Sequence, residues 1–162
     1  MSFPDDLNTD EMLMQRYVAG DASAFATLYG RHKNGIWRYL LRGSNNEALT
    51  AELSQDVWAN LIKARHSYEP RARFATWLYR LAHNRLVDHW RSTHAHDDLD
   101  DAAEIAAPEH HTPAARATQA EQGSRLMKAL QVLAPEQREA FLLQAEGGLS
   151  LEEIASTQGV GR

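Results

Sequence analysis

Between residues 71 and 91 the chain reads Arg71-Ala72-Arg73-Phe74-Ala75-Thr76-Trp77-Leu78-Tyr79-Arg80-Leu81-Ala82-His83-Asn84-Arg85-Leu86-Val87-Asp88-His89-Trp90-Arg91. Wound into a helix, Phe74, Trp77, Leu78 and Leu81 share one face, and burial preference assigns them to a core. Arg73, Arg80, His83, Asn84, Arg85, His89 and Arg91 lie largely off that face. Arginine makes planar, bidentate contacts to phosphate, and Arg71 adds one more at the start of the stretch. Asn84 and Arg85 carry the donor and acceptor groups that read base edges. Tyr68, Tyr79 and Trp90 offer flat faces on which unstacked bases settle, although Tyr79 and Trp90 would serve a core equally well. Asp88 has a simpler reading, as a helical partner of Arg85 or Arg91.

A second stretch, Glu52-Leu53-Ser54-Gln55-Asp56-Val57-Trp58-Ala59-Asn60-Leu61-Ile62-Lys63, places Leu53, Val57 and Leu61 on one face at four-residue spacing. Glu52, Gln55, Asp56 and Asn60 project elsewhere and suit an arginine-rich partner. By pattern alone they read as a solvated face.

The histidines invite a metal site, but His94, His96 and Asp97, with His110 and His111, fall in a stretch that does not hold ligands in place. With no cysteine there is neither a disulfide framework nor a thiolate zinc site. The chain has no glycine-rich phosphate loop, nucleophile elbow or HExxH helix, so neither an enzyme nor a cofactor is expected.

The total charge of −5 argues against nucleic acid, yet its distribution does not. Residues 1–30 carry one Arg against five acids, net −4. Residues 31–93 carry eleven Lys and Arg against five acids, net +6, and residues 97–123 return to net −6. Arg outnumbers Lys 14 to 3. A basic block thus lies between acidic ones. No apolar run approaches a membrane span, and the acidic N-terminus does not read as a secretory signal, so a cytoplasmic protein is expected.

The elements that would position these residues are helices almost throughout, for no stretch alternates with period two. Asn8 with Glu11 has capping-box spacing for a first helix that ends near Ala19 and Gly20. Asp21 caps a second, with Phe25, Leu28, Tyr29, His32, Ile36, Tyr39 and Leu40 as one apolar stripe. After a loop at Gly43-Ser44-Asn45-Asn46 a third runs from Glu47 to Ala64, with Leu53, Val57, Leu61 and Trp58 inward. Pro70 breaks the chain, and a fourth helix spans Arg73 to Arg91.

Residues 93–112 are acidic, poor in apolar groups and contain Pro108, and read as a flexible linker. Thr112-Pro113 starts a helix through Leu126, Leu130 and Leu133. Another runs from Glu136 to Glu146 and stops at Gly147-Gly148. Ser150 with Glu153 repeats the capping-box spacing and opens a short helix through Ile154 and Ala155. Gly159-Val160 then turns as in the first half of a helix-turn-helix, with Val160 as a core plug. The recognition helix that should follow Gly161 is absent from the 162 residues, which points to truncation or degeneracy. The expected fold is all-α, with two small helical modules, 8–92 and 113–162, joined by an acidic flexible linker at 93–112.

Four segments together resemble a bacterial sigma factor of the extracytoplasmic-function group: Glu52-Leu53-Ser54-Gln55-Asp56-Val57-Trp58, Phe74 to Asn84, Leu133-Ala134-Pro135-Glu136-Gln137-Arg138, and Leu149-Ser150-Leu151-Glu152-Glu153-Ile154-Ala155. The resemblance covers residues 10–92 and 114–162. It implies that the first module, sigma region 2, docks on the β′ clamp helices of core RNA polymerase through Glu52, Leu53, Gln55, Asp56, Val57 and Asn60. It implies that Tyr68, Arg71, Arg73, Tyr79, Arg80, His83, Asn84, Arg85, His89, Trp90 and Arg91 face promoter DNA, with Asn84 best placed at a flipped minus-ten base. Flipping costs a few kcal/mol of unstacking that stacking and arginine contacts must offset. The second module, a partial sigma region 4, would contact the β flap and read the minus-thirty-five element, though the missing helix puts that specific binding in doubt. The acidic linker would mimic nucleic acid in the polymerase channels. An anti-sigma factor is an implied partner. The docking stretch departs from the family's frequent Glu-Asp-Leu-Val-Gln at Ala51 and Ser54, which implies weaker docking or docking aided by a modification or partner.

Two other readings predict different behaviour. A helix-turn-helix regulator would bind duplex operators without polymerase, and a pure interaction module would show no dependence on DNA.

Overall fold

The computed structural model describes residues 8–96 and 114–159. They form seven α-helices, with no strand among the described residues: α1 (Asp10–Val18), α2 (Ala22–Ser44), α3 (Glu47–Lys63), α4 (Phe74–His96), α5 (Ala114–Val132), α6 (Pro135–Gly147) and α7 (Leu151–Gln158). A short 3-10 turn, Arg65–Ser67, follows α3.

Several helices begin where a side chain satisfies their open N–H groups. Asp21 accepts from Ser23 N at 3.0 Å, Asn46 from Leu49 N at 2.9 Å, and Ser150 from Glu153 N at 3.1 Å. The Ser150 box closes as expected, with Glu153 Oε1 accepting from Ser150 N at 2.8 Å. The first cap differs from the sequence reading. Thr9, not Asn8, caps α1 by accepting from Met12 N at 3.1 Å. Glu11 is not part of a local box, because its Oε2 accepts from Phe74 N at 2.8 Å. It therefore satisfies the N-terminus of α4, 63 residues away. Asn45, at φ 56°, ends α2 two residues later than expected, so Gly43 and Ser44 are helical. Gly148 and Gly159, at φ 69° and 76°, end α6 and α7 in the left-handed conformation.

Helices α1 to α4 bury Leu13, Met14, Leu28, Ile36, Leu40, Leu53, Val57, Leu61, Phe74, Leu78 and Leu86 in one core. Not all of the expected stripe goes inward: Tyr29 is 40% exposed, and His32 accepts or donates at Asp10 across 2.8 Å. Trp77 and Leu81 are half-buried at the core's margin. Helix α4 continues to His96, beyond the expected end at Arg91 and into the residues read as linker. Residues 97–113 and the Val160 plug lie outside the described residues.

The C-terminal helices do not stand apart. Helix α6 packs against α2 and α4, and α7 against α4. Leu130, Leu142, Leu143, Leu149 and Ile154 are buried there and join the first core. The two groups meet face to face.

Candidate nucleic-acid interface

Helix α4 carries most of the residues read as DNA-facing, and the packing sorts them. Asn84, Asp88 and Arg91 are exposed along one side, as is Arg71 in the turn before the helix, paired loosely with Glu69 at 3.9 Å. Asn84, Asp88 and Arg91 line a polar cleft of about 430 Å³, closed on its far side by Thr157, Gln158 and Gly159 of the α7 end. Trp90 and Arg91 also border an adjoining space of about 260 Å³ against Pro135 and Glu136.

Three of the expected readers are buried instead. Tyr68 is 7% exposed; its hydroxyl donates to Ala72 O at 2.6 Å and closes the turn around Pro70. Burial, with the negative charges of Glu11 and Asp10, pushes that hydroxyl up to about 12. Tyr79 is 2% exposed and meets Tyr39 edge to face at 5.6 Å, so its ring is spent on packing. Burial, then the Glu146 carboxylate, raises its pKa. His83 bonds through Nδ1 to Glu139 Oε1, and the Tyr39 hydroxyl donates to Glu139 Oε2. Glu139 is 1% exposed, an ionisable group held in the interior by partners from both α2 and α4. Burial first, then Glu139, holds the Tyr39 hydroxyl far above its ordinary value. The helical pattern alone misses this because the burying surface arrives from more than fifty residues downstream.

The arginines are also engaged. Arg73 donates to Glu153 Oε1 at 3.0 Å, beside Thr76, which donates to Glu153 Oε2 at 2.9 Å. Burial pushes the Glu153 carboxyl up, but hydrogen bonds from the Ser150 backbone and Thr76, with the Arg73 charge, outweigh it and hold it below the usual range. Arg80 donates to Thr157 Oγ1 at 2.9 Å and to Ser156 Oγ at 3.1 Å. Arg85 donates to Asp56 Oδ2 at 2.8 Å, not to Asp88 as the helical spacing allows. His89 sits 3.2 Å from Thr93 Oγ1, and burial, then Arg85, lowers its pKa.

On α3 the expected docking residues separate cleanly. Glu52 and Gln55 are exposed, and Asp56 and Asn60 half-exposed. Leu53 and Val57 are fully buried, so they hold the helix in place and present nothing to a partner. Beside Gln55 runs a shallow apolar groove of about 390 Å³ formed by Phe25, Tyr29, Ser54, Trp58, Ala59 and Ile62. Tyr29 and Trp58 meet edge to face there at 4.9 Å. The Trp58 indole N–H is buried with no partner among the described residues.

Residues 28–96 match sigma-70 region 2, and residues 124–161 match sigma-70 region 4. The chain is 35% identical over 152 residues to the RNA polymerase sigma factor CarQ of Myxococcus xanthus, a match spanning 91% of this chain and 83% of that protein. It is 26% identical to the ECF RNA polymerase sigma factor BldN of Streptomyces coelicolor, over 91% of this chain and 56% of the relative. It is 28% identical to the ECF sigma factor SigK of Mycobacterium sp. strain KMS, over 90% and 77%. The solved structure of CnrH in complex with the cytosolic domain of CnrY shares the fold, with a TM-score of 0.67 at 24% identity, covering 94% of this chain and 84% of that one. The two matched regions lie in the order the four sequence segments require, and the chain belongs to the extracytoplasmic-function group of sigma-70 RNA polymerase sigma factors, a family of transcription initiation factors rather than catalysts.

Proposed function

We propose that residues 8–92 form the module that docks on polymerase and opens the minus-ten element, and residues 113–162 the region 4 module, with 93–112 between them. The observation that carries the reading is Asn84, exposed on α4 between the buried His83 and the half-buried Arg85. A short amide held by a rigid helix at the edge of a polar cleft suits the edge of one flipped base. Arg91 and Arg71 flank it with phosphate donors, and Trp90 lies six residues further along the helix. Tyr68 and Tyr79 act as packing residues that hold α4 in place and not as stacking platforms.

Glu52, Gln55, Asp56 and Asn60 are the polar contacts of the docking surface for the β′ clamp helices of core polymerase. The groove at Tyr29, Trp58 and Ile62 beside them supports that reading, since an interface core is apolar and its rim polar. An anti-sigma factor is a further partner, supported by the CnrH structure, whose chain is bound to the cytosolic domain of CnrY. Among the described residues no helix is long and apolar enough to cross a membrane, and the site of action is the cytoplasm, where core polymerase is found. The experiment is minus-ten selection by holoenzyme carrying Asn84→Ala: the preference at one promoter position is lost, while an unchanged preference removes Asn84 as a base reader.

A further inference from the structure

Two carboxylates and two bases face each other where α3 packs on α4. Glu52 and Asp56 stand four residues apart on α3, and Arg85 and His89 stand four apart on α4, so each pair shares one helix face. Arg85 Nε donates to Asp56 Oδ2 at 2.8 Å. Burial and then the Arg85 charge push His89 down, while the Glu52 charge pushes it up, so the second acid and the second base are also within electrostatic reach. We propose that Arg85 is an exchange residue, held by Asp56 in the free chain and passed to the DNA backbone when a cation of polymerase takes Asp56. The proposal rests on the reading of α3 as the docking helix and of α4 as the DNA-facing one.

The geometry suits an exchange and not a fixed brace. The Asp56 side chain is 41% exposed and that of Arg85 24%, so a partner arriving from solvent meets the carboxylate first. Arg85 commits one of its five donors and Asp56 one of its two oxygens, and neither side chain makes a second hydrogen bond among the described residues. A guanidinium that braces a carboxylate uses both oxygens in a fork. Nor do the helices depend on the pair, because Leu53, Val57 and Leu61 of α3 and Leu78, Ala82 and Leu86 of α4 are fully buried. Opening it moves flexible side chains and leaves both backbones in place. Arg85 follows Asn84 in the chain, so the released guanidinium, a phosphate donor, lies beside the amide proposed to read a base. The coupling is reciprocal. Polymerase on Asp56 frees Arg85 for DNA, and DNA on Arg85 frees Asp56 for polymerase. An exposed ion pair is worth a factor of at most about five, which sets the size of the effect.

The test titrates variants of the full chain against core polymerase and, separately, against a labelled random-sequence single-stranded DNA 20-mer. Arg85→Gln leaves Asp56 uncontested and binds core about fivefold tighter than the parent, while Arg85→Lys keeps the charge and stays close to the parent. Asp56→Asn leaves Arg85 uncontested and binds the 20-mer about fivefold tighter than Glu47→Gln, a control that removes the same charge from an exposed position on α3. Asp56→Asn/Arg85→Gln binds the 20-mer no tighter than Arg85→Gln alone. An Arg85 that only positions Asp56 gives the opposite sign, with Arg85→Gln docking more weakly. Arg85→Gln that binds core no tighter than the parent, or Asp56→Asn that binds the 20-mer no tighter than the control, overturns the exchange. Losses judge the reading beneath it. When Asp56→Asn weakens core binding and Arg85→Gln weakens 20-mer binding without the crossed gains, only the exchange falls. When neither loss appears, the assignment of the two faces falls with it.

Discussion

Arg85 on α4 donates to the Asp56 carboxylate on α3 at 2.8 Å, tying the helix proposed to face DNA to the helix proposed to dock polymerase. The pair is part-exposed, Asp56 at 41%, and such pairs contribute about 0–1 kcal/mol to stability. Reversing Asp56 to Arg therefore leaves the fold intact by circular dichroism. It weakens binding to core polymerase severalfold, through the association rate and most strongly at low salt. Core titrations at two ionic strengths check this; equal affinities remove Asp56 from the docking surface.

Glu11 acts across the fold, since its carboxylate caps α4 at Phe74. Glu11→Ala removes that acceptor and should cost about 1 kcal/mol, the usual value of a lost cap. Glu11→Gln keeps an acceptor and costs less. Urea unfolding of the two variants measures the difference.

Asn84→Ala removes the base-edge contact proposed for this exposed side chain and no packing. A good bidentate base contact carries about 1–3 kcal/mol of discrimination. The expected result is a loss of that order at a single minus-ten position in promoter selection, with core affinity unchanged.

Asp10 is pushed up by burial, yet hydrogen bonds and charge from His32 and Arg31 outweigh this and hold it below the usual carboxylate range. A carboxyl lowered by folding stabilises above its unfolded value and loses that contribution as pH falls through the folded one. Asp10→Asn is therefore less stable than the parent at pH 7, and the gap narrows below about pH 4. Thermal unfolding across that range checks the sign.

The sequence made most of the elements legible because their signals are local. Asp21, Ser150 and Gly148 act on N–H and C=O groups within a few residues, and Leu53, Val57 and Leu61 repeat at helical spacing. What it concealed was long-range. Asn8 and Glu11 have capping-box spacing, but Glu11 is drawn to Phe74 on another helix. Tyr79 and His83 look like surface readers on a helical wheel until α6 arrives and buries them under Glu139 and Gly147. Periodicity shows which face is apolar; it does not show that a polar face will be covered by a matching polar face from another part of the chain. Asn84 was legible because its side chain stays exposed even with the end of α7 across the cleft.

As a sigma factor, this chain directs core RNA polymerase to promoters. The most direct test is run-off transcription from genomic promoter templates with purified core polymerase, with and without the chain. Discrete transcripts are expected only when both are present, reduced by Asp56→Arg and by Asn84→Ala. Transcripts that are identical with and without the chain on every template would contradict it.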